Sequence, residues 1–389
     1  MIEKIHIQNF KSIYDLELEV GRVNLFIGEN GSGKSNLLEA LVFVSASESN
    51  MLANEFLVSR GLRVPEPELM RSAFEEKNKD KNILIKTSFS KNKNLNYEFQ
   101  HDNMAYSQWR VLDQNRNIEV DLNIDNETLD FLKNNKYFSS TETLDERLYK
   151  VFKLGEDTLS KQLGLKILQY LNNFIIYSPE NTALRIFEKE GQIQPLGING
   201  EGLLKLLKIV NNYENKSYIN TIIESLKLFN WFEDITIPTD ISSQEDKVII
   251  KDKYLYREFT QRSANEGFLF ILFYITLIVA KETPKAFAID NIDASLNPKL
   301  CTKLMKILTE LAHKYDKQIF LTTHNPAILD GIDLNDEEQK LFVVSRNKKG
   351  HTRMKEITVE NKPKSSDDEP LHLSEAFIRG YLGGLPKGF

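Results

Sequence analysis

The chain has 389 residues, of which 41% are hydrophobic and 27% charged, and its formal net charge at pH 7 is −6. This length predicts two or three domains with a proper hydrophobic core. The net negative charge does not indicate a nucleic-acid-binding protein, although a local basic face for nucleic acid stays open. A single cysteine, Cys301, excludes a disulfide framework. The longest apolar run, Phe268 to Ala280, is too short to cross a bilayer and predicts a buried helix. We therefore expect a cytoplasmic protein with no membrane partner.

A phosphate-binding loop follows the first strands. Residues 28 to 35 read Gly-Glu-Asn-Gly-Ser-Gly-Lys-Ser, which is a complete G-x-x-x-x-G-K-[ST] motif between the apolar strand 22–27 and the helical pattern 36–43. In such a loop the glycines turn backbone N–H groups towards phosphate, the lysine contacts the β and γ groups, and the serine hydroxyl binds Mg²⁺. The predicted nucleotide ligands are Gly28, Asn30, Gly31, Ser32, Gly33, Lys34, Ser35 and Asn36. The motif therefore predicts that the chain binds ATP with Mg²⁺, with Ser35 as a metal ligand.

The middle of the chain separates this loop from the rest of the nucleotide-binding parts. Segments at 82–90, 95–100 and 109–112 alternate polar and apolar residues, which predicts antiparallel β hairpins within 82–125. Residues 126–172 read mainly helical and charged, and we interpret them as an inserted helical arm or lid. The predicted nucleotide-binding core then comprises residues 1–48 and 174–389.

Three further motifs in the second half carry polar residues at the ends of apolar segments. The strand from Lys285 ends in Asp290, the form of a Walker B motif whose carboxylate holds Mg²⁺. The strand from Gln318 ends before His324, which is placed to contact a γ-phosphate. Asn265 and Gly267 open the apolar helix, where a helix N-terminus can meet an anion.

Together these motifs resemble the ABC-type ATPases of the RecF/OLD/SMC group. They are most similar to the small stand-alone AAA-family ATP-binding proteins of bacterial anti-phage and abortive-infection systems. The segments that carry the resemblance are 5–13, 26–36, 290–298, 322–326 and 377–386. The resemblance implies an α/β fold, namely a P-loop NTPase of the ABC-ATPase type with an antiparallel β subdomain and an inserted helical arm.

The same resemblance implies a mechanism. Two copies bind head to tail, as a homodimer or within a higher oligomer. Each ATP then lies between the P-loop of one copy and Asn265–Gly267 of the other. Because ATP contacts both surfaces, it favours the closed dimer over the open one.

Three positions depart from the group's pattern. The group usually has Glu directly after the Walker B Asp, where this chain has Asn291, and an amide cannot accept a proton from the attacking water. The signature Ser is replaced by Asn265, and the usual His before the proline at 298 is Asn297. These changes predict slow turnover. Asp293 is either a substitute base or an ordinary surface residue, so the candidate catalytic residues are Asn291, Asp293 and His324.

The resulting hypothesis is an ATP-binding, slowly hydrolysing sensor or scaffold that controls a separate effector, a nuclease or another toxin, in anti-phage defence. No nuclease motif is evident in the sequence, so the effector is expected on another chain. A RecF-like DNA-repair ATPase, a transporter ATPase subunit and a nucleotide-binding interaction protein without turnover remain alternatives.

Overall fold

The computed structural model describes residues 1–89, 93–104, 106–113, 116–117, 143, 147, 170–171, 173–187, 191–239, 247–363 and 371–385. Two large β-sheets and one small sheet make up its β structure, and helices pack between and beside them. This confirms the predicted α/β class. Nearly all of the predicted arm, 126–172, lies outside the described residues, so the arm and the proposed domain limits stay predictions.

An antiparallel sheet holds both the start of the chain and the predicted hairpins. Its strand order is β2-β1-β4-β5-β6, and β7 also pairs with β5. The strands are β1 Ile2–Phe10, β2 Ile13–Glu19, β4 Ile83–Phe89, β5 Lys93–Gln100, β6 Arg110–Asp113 and β7 Arg116–Asn117. Ile5 and Ile7 of β1 are buried while Lys4, His6 and Gln8, which alternate with them, are more exposed, as expected for a sheet with one covered face.

The second large sheet is mainly parallel and has the order β15-β14-β3-β13-β12-β8. Its strands are β3 Val23–Gly28, β8 Ile176–Tyr177, β12 Ala286–Ile289, β13 Gln318–Thr323, β14 Gln339–Arg346 and β15 Thr352–Ile357. All but β15 run in the same direction, and every residue of β3, β12 and β13 is buried. Because the carboxyl ends of parallel strands meet at one edge, Gly28, Asp290 and His324 come together there.

Helices cover both faces of the parallel sheet. The helices among the described residues are α1 Lys34–Glu48, α2 Asn54–Ser59, α3 Pro67–Met70, α4 Leu203–Asn211, α5 Ser217–Leu226, α6 Glu266–Val279, α7 Pro298–Lys314 and α8 Leu373–Ile378. Helix α1 is buried on nearly all sides, because Phe43 packs on Phe99 and Trp109 of the antiparallel part while the helix also lies against β3 and β13. The P-loop helix is therefore one of the elements that join the two large sheets.

Helix α6 is the predicted buried apolar helix on the opposite side of the parallel sheet. A small antiparallel sheet, β11-β10-β9, with strands Phe232–Thr236 (β9), Ile249–Asp252 (β10) and Phe259–Thr260 (β11), leads into its N-terminus. Cys301 is buried on α7, as a packing residue should be. No helix among the described residues has both the length and the apolar character needed to cross a bilayer.

A buried lysine at the start of β13 gives a pH-dependent contribution to stability. Lys317 is 3% exposed and donates to the carbonyls of Thr283 and Pro284 and to the Thr283 hydroxyl. Burial, and secondly the nearby Lys285, lower its pKa to about 7. The unfolded chain therefore binds more protons at this group between pH 7 and 10.5, so this contribution to stability increases with pH across that window.

We expect Lys317→Met to reduce the pH dependence of the urea unfolding midpoint between pH 7.5 and 9.5. The slope of the unfolding free energy against pH should fall by at most about 1.4 kcal/mol per pH unit, because one pKa unit corresponds to about 1.4 kcal/mol. Lys299→Met, at an exposed lysine of α7, serves as the control. An unchanged slope in Lys317→Met would show that Lys317 is not the titrating group.

Candidate functional site

The P-loop begins at the end of β3 and continues into α1. Gly31 and Gly33 have φ angles of 74° and 105°, a region that favours glycine. A Cβ atom at Gly33 would lie 2.1 Å from Thr352 Oγ1, and one at Gly28 would lie 2.1 Å from the Val344 carbonyl oxygen. The glycines at these two positions are therefore required by close packing against β14 and β15 as well as by phosphate chemistry.

A relay of side-chain hydrogen bonds fixes the far side of the loop. Thr352 Oγ1 donates to the Ser32 carbonyl at 2.9 Å, so its only proton is used there. Ser12 Oγ, 2.6 Å away, must then donate to Thr352, and Asn36 Nδ2 donates to Ser12 at 2.6 Å. The predicted ligand Asn36 is thus joined to Ser32 through Ser12 in the turn between β1 and β2 and through Thr352 in β15.

Arg346 adds a further contact at the end of β14. Its Nε atom donates to the Gly31 carbonyl at 2.7 Å. Asn30 and Gly31 are exposed, whereas the Ser32 hydroxyl is buried and has no hydrogen-bond partner within the described residues. The top of the loop is therefore open to a ligand, and one buried donor of the loop is left unpaired.

Lys34 is buried, with 6% of its surface exposed. Its ammonium group donates to the carbonyls of Gly28 and Glu29 at 2.9 and 3.0 Å. Burial lowers its pKa to about 8, against the opposing effect of Asp290, Asp293 and Glu29. The group therefore remains largely protonated at pH 7 and lies inside the loop where phosphate is expected.

The two predicted metal ligands are brought together. Ser35 Oγ lies 3.3 and 3.4 Å from the carboxylate oxygens of Asp290, and Thr322 Oγ1 also donates to that carboxylate. A hydroxyl and a carboxylate at the P-loop are oxygen ligands of the kind that Mg²⁺ prefers alongside phosphates and waters. The residues present therefore fit a magnesium ion, which in such sites neutralises charge on the β and γ phosphates.

Asn291 and Asp293 lie one and three residues after Asp290. Asn291 is exposed and has φ 57°, a left-handed conformation that Asn tolerates well, and its backbone N–H donates to Thr322 Oγ1 at 2.9 Å. The Asp293 carboxylate accepts from Thr323 Oγ1 at 2.6 Å and from the His324 N–H at 3.4 Å. Asp293 thus connects the Walker B turn to the end of β13, while Asn291 faces solvent.

His324 lies at the same edge of the sheet. Burial, and secondly the charge of Lys34, lower its pKa, although a hydrogen bond to the Gly28 backbone opposes this. The ring is therefore neutral at pH 7 and lies beside the P-loop. The structure thus places Gly28, Lys34, Ser35, Asp290 and His324 within one site.

Asn265 and Gly267 form the N-terminus of α6. Asn265 Oδ1 caps the helix by accepting from the Phe268 N–H at 2.8 Å, and its side chain is exposed. A Cβ atom at Gly267 would lie 3.1 Å from the Ser295 carbonyl oxygen. No hydrogen bond within the described residues joins Asn265 or Gly267 to the P-loop of the same copy. Asn297, the third departure, caps α7 by accepting from the Leu300 N–H at 3.0 Å.

A basic cleft of about 580 Å³ adjoins the P-loop and was not predicted from the sequence. Four cations line it, and its described lining residues include no carboxylate: Lys11, Ser12, Asn36, Arg63, Val64, Pro65, Leu69, Arg71, Ala73, Phe74 and Arg346. Lys11 and Arg63 each lie 2.6 Å from the buried Glu39, which balances only one positive charge. The cleft therefore suits an anionic or strongly polar ligand.

Solved structures share this fold. An SMC head bound to the C-winged helix domain of ScpA matches 92% of this chain and 98% of its own, with a TM-score of 0.55 and 14% identity. A Smc head with an extended coiled coil, from a complex derived from Pyrococcus furiosus, matches 92% and 96% with a TM-score of 0.52 and 12% identity. The fold and the sequence matches define an ABC-type ATPase of the RecF/SMC group. The chain belongs to the family described as "AAA domain, putative AbiEii toxin, Type IV TA system", whose profile matches residues 23–330.

Curated relatives match over short segments. An uncharacterised protein of Methanocaldococcus jannaschii is 46% identical over 67 residues, 16% of this chain and 31% of that protein. The DNA replication and repair protein RecF of Listeria monocytogenes is 42% identical over 55 residues, 14% of this chain and 15% of RecF. The chain thus spans less than a third of the length of the relatives it matches.

Proposed function

We propose that this chain binds Mg·ATP at Gly28–Ser35 and that two copies close head to tail around the nucleotide. The observation that carries the proposal is the placement of the Ser35 hydroxyl beside the Asp290 carboxylate, next to a loop with an unpaired Ser32 hydroxyl. Lys34 exchanges its two carbonyl partners for the β and γ phosphates. Ser35 and Asp290 hold the magnesium ion.

The basic cleft receives the nucleoside end of ATP. Ser12, Asn36 and Arg346 belong both to the cleft lining and to the contacts that fix the P-loop, so the cleft is continuous with the loop. Its positive excess also attracts a ligand that carries several negative charges.

The two polar atoms of the Asn265 side chain have different roles, and this supports the dimer. Its Oδ1 atom caps α6, while Nδ2 has no partner within the described residues and is exposed. In the closed dimer Nδ2 donates to the γ-phosphate held by the second copy. This contact exists only in the closed state, so ATP shifts the population towards that state.

Turnover is slow in this proposal. Asn291 occupies the position of the usual base and holds the attacking water without accepting its proton, and Asp293 is already bonded to Thr323 and His324. The closed dimer then persists for long enough to act as a scaffold. We propose that it controls a separate effector, a nuclease or another toxin, in anti-phage defence, and the family's description is consistent with such a setting. Capture of a genetically linked chain by the protein in ATP but not in ADP tests this role.

A RecF-like DNA-repair ATPase is the second candidate. The identity with RecF favours it, and two cations of the basic cleft, Arg63 and Arg346, are exposed and open to a phosphate backbone. Stimulation of ATP hydrolysis by duplex DNA in the purified protein alone would support this candidate over the scaffold.

We expect Lys34→Met to weaken ATP binding about ten- to a hundredfold, because a charge-assisted hydrogen bond contributes about 1.5–3 kcal/mol. Equilibrium binding of a fluorescent ATP analogue measures the effect, and Lys299→Met at an exposed position of α7 is the matched control. Equal affinities for Lys34→Met and the parent would remove the P-loop assignment.

A further inference from the structure

Arg185 connects the loop after β8 to the segment that precedes Asn265. Its guanidinium donates to the carbonyls of Gln261, Arg262 and Ala264 at 2.8, 2.7 and 2.9 Å. Its Nε atom donates to Asn181 Oδ1 at 3.0 Å, which holds the side chain against its own loop. One half-buried side chain thus fixes three carbonyls within four residues of the α6 N-cap.

The other end of this loop contacts the magnesium ligand. The backbone N–H of Asp290 donates to the carbonyl of Tyr177 at 2.8 Å, and β8 ends at Tyr177. The Ser178 and Glu180 N–H groups donate to the carbonyls of Ile198 and Asn199, so the loop is held along its length. A path therefore runs from Asp290 by one hydrogen bond to Tyr177, along the backbone of residues 177–185, and by the hydrogen bonds of Arg185 to the backbone of 261–264.

We propose that Arg185 is a positioning residue that transmits nucleotide occupancy at Asp290 to the N-terminus of α6. The inference rests on the proposed function and adds its regulation: ATP bound in one copy orders that copy's own Asn265 for the second copy. Each copy then presents a competent α6 N-terminus only when its own site is filled. Two occupied copies associate far better than one occupied and one empty copy.

The chemistry of the side chain fits this task. A guanidinium presents donors in a rigid plane, so it reaches carbonyls of three residues at once, whereas a lysine ammonium has no such fork. Arg185→Lys therefore keeps the charge but loses the simultaneous contacts. Arg185→Gln loses both.

The test separates this coupling from dimer formation by using Asn265→Asp as the background, in which Asn265 no longer supports association. Hydrogen exchange of amides 261–268 is measured with and without Mg·ATP, and ATP affinity is measured in parallel. We expect ATP to slow exchange in this segment at least fivefold in the background protein. The slowing should be lost in Arg185→Gln and partly retained in Arg185→Lys, with ATP affinity unchanged within twofold.

The control is Arg262→Gln, which removes a positive charge from an exposed side chain of the same segment and should leave the ATP effect intact. Circular dichroism and the urea midpoint establish that each variant is folded, and Arg185→Lys keeps the test decisive if Arg185→Gln does not fold. ATP binding without slower exchange at 261–268, or equal slowing in the Arg185→Lys and Arg185→Gln proteins and the background, would overturn the inference alone. Failure of the background protein to bind ATP would instead overturn the proposed function together with this inference.

Discussion

Replacing Asn265 by Asp should weaken ATP-driven association at least a hundredfold while leaving nucleotide binding to the single copy unchanged. The new carboxylate still accepts the Phe268 N–H, so the α6 cap is kept. It removes the Nδ2 donor and places a negative charge against the γ-phosphate, and like charges in an interface cost several kcal/mol. The substitution acts at both nucleotides of the dimer. Sedimentation with Mg·ATP and with Mg·ADP measures the change.

Asn265→Ser is the matched control, because it restores the residue usual in the group and also caps helices. It should associate within a fewfold of the parent. Gly267→Asp, an alternative probe of the same surface, is less informative because a Cβ at Gly267 lies 3.1 Å from the Ser295 carbonyl within the same copy. If Asn265→Asp and the parent associate equally under ATP, the head-to-tail arrangement is wrong.

The second large effect concerns Asn291. Asn291→Glu should raise steady-state ATP turnover about a hundredfold, because a positioned general base contributes about 10²–10⁴-fold. Glutamate also has a cost at this position. The backbone is left-handed, with φ 57°, and a residue other than Gly, Asn or Asp loses about 1–2 kcal/mol of stability there. Phosphate release measures turnover, and the urea midpoint measures the backbone cost.

Asn291→Asp isolates these two factors. Aspartate tolerates the left-handed conformation but is one methylene shorter than glutamate, so it should give a smaller increase with little loss of stability. If Asp293 already serves as the base, Asp293→Ala abolishes turnover and neither carboxylate at position 291 adds to it. Rapid turnover in the parent that survives Asp293→Ala would contradict both accounts and direct attention to His324.

The local parts of the site were predictable because each is a short motif. The P-loop, Asp290 and His324 follow apolar strands, and the buried segment Phe268 to Ala280 is the body of α6, as expected from its composition. Within the predicted hairpin segment 82–125, β4, β5, β6 and β7 pair antiparallel as far as residue 117, while the limits of the segment stay a prediction. Periodicity and motif spacing are properties of neighbouring residues, so a single sequence reports them well.

The contacts between distant segments were not predictable in the same way. Arg346 and Thr352 fix the P-loop from strands more than 300 positions away, and nothing in their local sequence marks them. Lys11 and Ser12 belong to a motif of the group, but their place in a basic cleft depends on Arg63 and Arg71 folding against them. The backbone at position 291 is left-handed, with φ 57°, which favours Asn there, and the composition of the chain does not reveal this.

The relay from Asn36 to Ser32 bears on how the protein is made on the ribosome. Ser12 and Thr352 are separated by 340 positions, so the loop at 28–35 is synthesised early, long before the residues that hold it in shape. A nascent chain that ends before β14 lacks the contacts of both Arg346 and Thr352, and we expect it to bind ATP poorly. A ligand that binds only the folded form stabilises that form, so we expect nucleotide to stabilise only chains whose two ends have already met. We therefore expect bound ATP to favour completed chains over truncated ones without a dedicated quality-control factor.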